Sequence, residues 1–117
     1  MSDRPLQEPT FLILAALAAG AQHGYGIITD VERISEGRVR LRAGTLYGAL
    51  DRLRADELIE VDREEVVDTR LRRYYRLTAT GSQRLADEAE RLRRHAAIAT
   101  RRLRASGRAA YGTGGAR

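Results

Sequence analysis

The order of hydrophobic patterns along the chain predicts a mainly α-helical fold with one small β-hairpin, a winged helix-turn-helix followed by a C-terminal dimerisation helix. Three helix-like apolar patterns come first, ending near residue 55. An alternation with a period of two follows between residues 59 and 77. A last segment then repeats apolar residues every three or four positions. The length of 117 residues allows one compact domain with an appendage.

The first residues, 1–8, are polar and contain a proline, so we expect a flexible lead-in before a winged helix-turn-helix domain over residues 9–78. Its first helix should begin at Pro9, where a missing N–H costs nothing, and should end at Gly20. This segment is apolar on nearly all sides, which predicts a helix that is buried on most of its surface.

The second and third helices would form the helix-turn-helix itself. A turn at residues 21–24 should lead into a helix that closes at Gly37 and whose apolar stripe is Ile27, Ile28, Val31 and Ile34. A third helix near 44–55 should face the core with Leu46, Ala49, Leu50 and Leu53. Its opposite face is polar near the start and otherwise small, so we predict that this helix enters a groove.

Two strands would form a wing near 59–77, joined by a loop around residues 64–69. The second strand carries four arginines within seven residues: Arg70, Arg72, Arg73 and Arg76. Alternation places them on both faces of a narrow ribbon, which favours contact with a polyanion. The open alternative is cross-strand pairing with Glu60, Asp62, Glu64 and Glu65, at about 0.2–1 kcal/mol per pair in water.

Thr78 is placed to cap a dimerisation helix over residues 79–105, and a Gly-rich tail over 106–117 is predicted to be disordered. The apolar positions of this helix step by 4, 3, 4, 3 and 4 residues, as in a coiled-coil seam. The predicted dimer interface is therefore Leu85, Ala89, Leu92, Ala96, Ala99 and Leu103. Its alanines allow either a close helix approach or a hydrophobic gap.

Composition excludes several classes of function. The chain has no Cys, which excludes disulfides, a thiol nucleophile and thiolate metal sites. Its two imidazoles, His23 and His95, belong to different predicted segments, so we expect no metal site, no cofactor and no enzyme. The longest apolar run, nine residues, is short of the roughly 20 that span a bilayer. We therefore expect a cytoplasmic protein without a membrane partner.

Charge and helix position point to nucleic acid. All 21 basic residues are Arg and the net charge is +5, a balance typical of domains that bind polyanions. Gly44 and Thr45 lie at the start of the third helix, where backbone N–H groups and a hydroxyl suit a phosphate. Tyr47 lies on the side away from the core, where its phenol can bond a phosphate oxygen; alternatively, it covers the edge of the wing or of its own helix.

Three motifs carry a family resemblance: HGYGI at residues 23–27, GTLYGALDRLRADELIE at 44–60 and RRYYRLTATG at 72–81. In this order and spacing, the chain resembles the PadR-like family of transcription regulators over about residues 9–104. The resemblance implies a dimeric winged helix-turn-helix repressor whose third helix enters the major groove. It also implies a wing that lies along the DNA backbone or minor groove, and, in some members, a phenolic or flat aromatic effector near the dimer interface.

Carried over residue by residue, the resemblance places the start of the recognition helix at Thr45, Leu46, Tyr47 and Gly48, and the basic wing at Arg70, Arg72 and Arg73. Two departures matter. Glu57 stands where the family has Gly, at a cost of up to ~1 kcal/mol if a left-handed cap persists. The chain also has no Trp, so a flat aromatic effector would have only Tyr25 or Tyr111 to stack against, and weakly.

Together these arguments predict a homodimeric repressor that binds double-stranded DNA at a palindromic operator and is released by a small aromatic or hydrophobic effector, if it has one. The predicted DNA-binding residues are Gly44, Thr45, Tyr47, Gly48, Arg52, Arg70, Arg72 and Arg73. Among these, Thr45 and Arg52 are the expected base readers. The alternative is a winged-helix module whose basic ribbon binds an acidic protein.

Overall fold

The computed structural model describes the backbone of residues 4–111 and the side chains of residues 4–107. Within this part the elements are α1 (Glu8–Ala18), β1 (Gln22–His23), α2 (Gly24–Ile34), α3 (Ala43–Ala55), β2 (Ile59–Val67), β3 (Arg70–Leu77) and α4 (Ala79–Tyr111). The strands form an antiparallel sheet in the order β1-β3-β2. Internal contacts divide the chain into two units, Met1–Ala86 and Asp87–Arg117. The mainly helical fold with a hairpin wing is as predicted.

The core of the first unit lies where α1, α2 and α3 meet, and β2 and β3 close it. As the apolar pattern predicted, α1 is buried on most of its surface, and α3 buries each of its predicted core positions. Leu58, Ile59 and Tyr75 complete the core from the sheet side. The buried set is Leu12, Ile13, Leu14, Ala16, Leu17, Ile27, Val31, Leu46, Ala49, Leu50, Leu53, Leu58, Ile59 and Tyr75.

The end of α2 departs from its predicted stripe. Ile27 and Val31 are fully buried and Ile28 packs against the core, but Ile34 is 41% exposed. Ile34 is the last residue of α2, where the helix has passed beyond the core. The chain then turns through Gly37, whose φ of 84° and N–H bond to the carbonyl of Glu32 (2.8 Å) close the helix as predicted.

The segment after α1 is a strand where a turn was predicted. Gly20, with a φ of 145°, redirects the chain, and Gln22 and His23 then pair with Tyr75 and Tyr74 of β3. The Gln22 amide donates to the carbonyl of Ala16 (3.0 Å) and so holds β1 against α1. A two-residue strand has no periodicity of its own and depends on a partner some fifty residues away, so the prediction of a turn was wrong.

The hairpin is also longer than predicted. Its strands reach Val67 and Arg70, and only Asp68 and Thr69 form the loop, with φ values of 52° and 63°. Positive φ at both positions is the geometry of the two-residue turns that match strand twist. The predicted loop over residues 64–69 was wrong because Glu64 and Glu65 break the apolar alternation, although both pair with arginines of β3.

Both ends of the described chain are more ordered than predicted. The first helix begins at Glu8, and Leu6 of the supposed flexible lead-in packs against the core. At the other end α4 begins at Ala79 as predicted but continues to Tyr111, so residues 106–111 are helical rather than disordered. One glycine costs a helix only about 1 kcal/mol, and Gly107 lies among Arg and Ala, which favour helix. The rest of the predicted tail, residues 112–117, lies outside the described residues.

Candidate nucleic-acid interface

The start of α3 has unused backbone donors. Its N-cap residue, Arg42, makes no side-chain cap, and the first turn contains no acidic residue. The first backbone bond of the helix runs from the N–H of Leu46 to the carbonyl of Arg42 (2.9 Å). Within the described chain, the N–H groups before Leu46 therefore have no helical acceptor, and both Gly44 and Thr45 are exposed. An anion would be favoured here by these donors and by the positive helix end.

The backbone cap at the end of α3 sets the direction in which the chain enters the wing. Glu57 adopts a φ of 62°, and its N–H donates to the carbonyl of Arg54 (2.9 Å). The N–H of Leu58 reaches back to the carbonyl of Leu53 (2.9 Å), which completes a left-handed helix cap. The left-handed cap that the resemblance implies at this position, with Gly, therefore persists here on Glu57.

A groove of about 550 Å³ lies between the start of α2, the first half of α3 and the tip of the wing. Four of the predicted DNA-binding residues meet in it: Tyr47, Arg70, Arg72 and Arg73. Its other lining residues include His23, Tyr25 and Leu71. Tyr25 is 73% exposed, and the sequence alone indicates it only as a residue that could stack an effector. Its position in the HGYG motif, next to the strand that pairs with the wing, is the signal that could have placed it here.

Tyr47 packs against the start of α2. A Cβ atom added to Gly24 would lie 2.3 Å from the Tyr47 hydroxyl oxygen, so the close packing requires glycine at this position. About half of the Tyr47 side chain nevertheless remains exposed (48%). The phenol is thus fixed on one side and open to the groove on the other.

His23 has a structural role at the edge of this groove. Its Nδ1 accepts the N–H of Gly26 (3.2 Å), which caps α2, and its ring meets Tyr74 edge-on at 5.3 Å. Burial, and then the nearby positive charge of Arg72, lower the pKa of His23 below its ordinary value. The neutral imidazole is the form that caps the helix. Among the described residues, no group of three or more His, Cys, Asp or Glu side chains is placed to hold a metal ion.

The wing arginines divide into two classes. Arg73 is paired with Glu64 (2.9 Å), and Arg76 is paired with Glu60 (2.9 Å) and Asp62 (2.8 Å). The bond from Arg76 lowers the pKa of the Asp62 carboxyl, so this carboxylate is charged at neutral pH. The sequence allowed either contact with a polyanion or cross-strand ion pairing for these arginines. In the structure, Arg73 and Arg76 are paired across the strands. Arg70 and Arg72 have no ion-pair partner within 4 Å in the described part of the chain.

Arg52 lies apart from the groove. It lines a second cavity of about 540 Å³ together with Leu6, Leu53 and other residues of the first unit. Its guanidinium turns back along α3, so that a Cβ added to Gly48 would lie 3.7 Å from its Nη1 atom. Arg52 and Gly48 therefore form one side of the exposed face of α3, and Tyr47 lies on the other side.

Only part of the predicted dimer seam is exposed to solvent. Leu85 is half-buried and packs against the core of the first unit, so the prediction that it belongs to the seam needs correction. The remaining seam residues are exposed: Ala89, Leu92, Ala96, Ala99 and Leu103. Leu92 and Leu103 are 41% and 72% exposed, which makes them the largest exposed apolar side chains of the predicted seam.

The sequence model described as "Transcriptional regulator PadR-like family" matches residues 13–87, which contain the whole helix-turn-helix and wing. This chain belongs to the PadR-like family of transcriptional regulators. A transcriptional regulator of Mycobacterium tuberculosis is 40% identical over 76 residues, 65% of this chain and 67% of its own length. An uncharacterised 37.1 kDa transposon protein of Streptomyces fradiae is also 40% identical, but the match spans only 22% of that protein.

Solved structures agree with the PadR-like fold. A PadR family transcription regulator from Clostridium difficile superposes with a TM-score of 0.68 at 25% identity, over 83% of this chain and 99% of that one. Bacillus subtilis PadR, solved in complex with operator DNA, superposes with a TM-score of 0.62 at 24% identity, over 69% of this chain and 46% of that one. In the part of the PadR-like chain described here, no helix has the length and hydrophobicity to cross a membrane.

Proposed function

We propose that this PadR-like chain is a homodimeric transcriptional repressor that acts in the cytoplasm and binds double-stranded DNA. The proposal rests chiefly on the groove that brings Tyr47, Arg70 and Arg72 together next to the uncapped start of α3. A DNA strand lying in this groove would meet two unpaired guanidinium groups, a phenol and free backbone N–H groups. The partner of Bacillus subtilis PadR in its solved complex is operator DNA, which supports the same class of partner here.

Within this interface we assign different roles to the two sides of α3. Arg70, Arg72 and Tyr47 would contact phosphate and sugar, which fixes the position of the helix on the duplex. Thr45, Gly48 and Arg52 would face the major-groove base edges, with Arg52 able to bond a guanine. Arg73 would contribute less than Arg72 because its guanidinium already bonds Glu64. The N–H groups at Gly44 and Thr45 would hold one further phosphate.

Dimerisation would place two recognition helices about 34 Å apart, in successive major grooves of a palindromic operator. The exposed part of the seam, above all Leu92 and Leu103, is the surface that a second copy would cover. Leu92→Arg should therefore give a monomer by light scattering and weaken operator binding, whereas Ala105→Arg, at an exposed position about 140° around the same helix from Leu92, should remain dimeric. A dimeric Leu92→Arg variant would contradict this assignment of the interface.

The test of DNA binding is fluorescence anisotropy with a duplex from just upstream of the protein's own gene and a scrambled duplex, at 50 and 200 mM salt. We expect the native duplex to be favoured by ~10³ or more, and log K to fall against log salt with a slope of roughly −5 to −9. Arg72→Ala should weaken binding to both duplexes alike, by more than Arg73→Ala does. Arg52→Ala should also reduce the preference for the native duplex.

Arg33→Ala is the matched control, because Arg33 is exposed but paired with Asp30 (2.5 Å) outside the groove. If Arg72→Ala and Arg52→Ala bind both duplexes as the parent does, the interface is wrongly assigned. If the parent binds neither duplex but binds an acidic protein tightly, the wing serves a protein partner instead and the proposed function is wrong. A small aromatic or hydrophobic effector would be detected as a compound that releases the native duplex.

A further inference from the structure

The net charge of the chain is not distributed evenly. Residues 9–78, which form the winged helix-turn-helix, hold eleven arginines and eleven acidic residues, a net charge of zero, and residues 1–90 hold thirteen arginines and sixteen acidic residues. Residues 91–117 hold the other eight arginines and no acidic residue, a charge of +8. The excess of +5 for the whole chain therefore comes entirely from its C-terminal part. Long-range attraction of a polyanion cannot be assigned to the net charge of the winged helix-turn-helix.

Within α4 the arginines again divide by their partners. Arg91 is paired with Glu88, and Arg93 and Arg94 are paired with Glu90, at 2.7 and 3.6 Å. Beyond Glu90 the helix offers no carboxylate. Arg101, Arg102 and Arg104 are exposed and make no ion pair with any described residue. These three side chains, which we call the distal arginines, carry positive charge that the described chain does not neutralise.

The distal arginines lie outside the apolar seam of α4. At 3.6 residues per turn, Arg101 lies about 180° around the helix from Leu92, and Arg102 and Arg104 lie about 60–100° to either side of Arg101. Leu92, Ala96 and Leu103 share the opposite side. A second copy covering the seam would therefore leave Arg101 and Arg104 in solvent and Arg102 at the edge of the interface, and two copies would place six distal arginines along one helix pair.

We propose that the distal arginines form a second DNA-binding surface, which holds duplex backbone without regard to sequence. Duplex DNA carries one phosphate charge per about 1.7 Å, so any stretch of it beside the helix offers more phosphates than there are arginines. An anionic lipid surface would need a broad apolar face to insert, whereas the apolar side of this helix is narrow, Ala-rich and shared with the seam. This surface is additional to the groove, and it explains how a winged helix-turn-helix without net positive charge gains affinity for DNA.

The test uses the full chain and a random-sequence 40-bp duplex, which removes any contribution from operator recognition. Arg101→Gln, Arg102→Gln and Arg104→Gln are combined in one variant. A matched control combines Arg33→Gln, Arg93→Gln and Arg94→Gln, which changes the net charge equally but at arginines that are ion-paired. Losing three phosphate contacts should reduce the magnitude of the slope of log K against log salt by about 2.7 per protomer. Between 50 and 200 mM salt, the fold-loss of affinity per protomer should then be about 40 times smaller than for the parent. The control should change the slope by less than one.

A second variant separates charge from structure. Arg101→Lys, Arg102→Lys and Arg104→Lys should keep the slope within about one of the parent, because lysine also binds phosphate as a point charge. Equal slopes of log K against log salt for the glutamine variant and its control would overturn the proposal. A lysine variant whose slope falls as far as that of the glutamine variant, while its circular dichroism spectrum shows an intact fold, would also overturn it. Selective loss of binding to phosphatidylglycerol vesicles, with duplex binding intact, would assign the surface to lipid and also overturn it. In each of these cases a retained preference for the upstream duplex would leave the proposed function standing.

Discussion

Replacing Glu57 by glycine should stabilise the protein, an outcome opposite to that of most substitutions. Glu57 closes α3 with a φ of 62°, in the left-handed region that a side chain with a Cβ occupies at a cost of about 1 kcal/mol. The two backbone bonds of the cap, from the N–H groups of Glu57 and Leu58, need no side chain. The Glu57 carbonyl also accepts the Thr78 hydroxyl (2.7 Å), a bond that glycine keeps. The strain is therefore removable without loss of a contact.

The expected gain for Glu57→Gly is about 1 kcal/mol in the free energy of unfolding. With a urea m-value of about 2 kcal/mol/M, the unfolding midpoint should rise by about 0.5 M. Urea unfolding followed by circular dichroism measures this shift, and the protein concentration must be held constant because dimerisation also stabilises.

Two controls isolate the backbone effect. Asp56→Gly removes the same negative charge from the same helix end, but Asp56 has a φ of −84°, where glycine brings only its flexibility. Glu57→Gln removes the charge and keeps the Cβ, so it should recover no more than a few tenths of a kcal/mol. An unfolding midpoint for Glu57→Gly that is equal to or below that of the parent, or equal to that of Glu57→Gln, would refute the assignment of strain to this cap.

Two further predictions concern glycine and histidine. Gly81→Ala should destabilise the protein by about 2–3 kcal/mol in urea unfolding, because the added Cβ would lie 1.9 Å from the Leu58 carbonyl oxygen. Gly44→Ala, which meets no atom within 4 Å, should not destabilise it, and a similar loss for both would disprove the clash. Because the folded state lowers the pKa of His23 below 6.5, stability should be complete above about pH 7 and fall as the pH drops through 6.5 toward the folded-state value. Asn keeps a cap acceptor without titrating, so His23→Asn should flatten this dependence between pH 7 and 5, whereas His95→Asn should retain it. The carboxylates with lowered pKa values, Asp62, Glu65 and Glu90, act only below about pH 4.5.

The parts of the fold that the sequence predicted are those set by local periodicity. The buried surfaces of α1 and α3 follow from apolar spacing alone, because a helix repeats its faces every few residues. The parts that it missed depend on distant partners. The strand at Gln22 and His23 exists because β3 offers them an edge, and Glu64 and Glu65 become strand residues because arginines stand opposite them.

The candidate site shows the same division. The sequence identified the start of α3 and the basic strand, but not that Tyr47 would rest on Gly24 or that Arg52 would turn away from the groove. It also grouped Arg73 with Arg70 and Arg72 as DNA-binding residues, whereas pairing depends on register: the partners of Arg73 and Arg76 are known only once the strands are aligned. Glu57 is an instructive exception, since the missing glycine was visible in the sequence and the backbone nevertheless adopts the left-handed cap.

The pairing in the wing bears on how affinity and specificity would be divided in the proposed complex. An arginine already bonded to a carboxylate has to exchange that bond for a phosphate, so its net contribution to binding is smaller than that of a free guanidinium. Arg70 and Arg72 are then the wing residues that contribute most, while the acidic residues paired with Arg73 and Arg76 oppose non-specific binding by this ribbon. If the distal arginines of α4 supply the sequence-independent attraction, the winged helix-turn-helix can carry no net charge and still discriminate between sequences through α3. Removing the distal arginines should accordingly lower the affinity for every duplex and leave the ratio between native and scrambled duplexes unchanged.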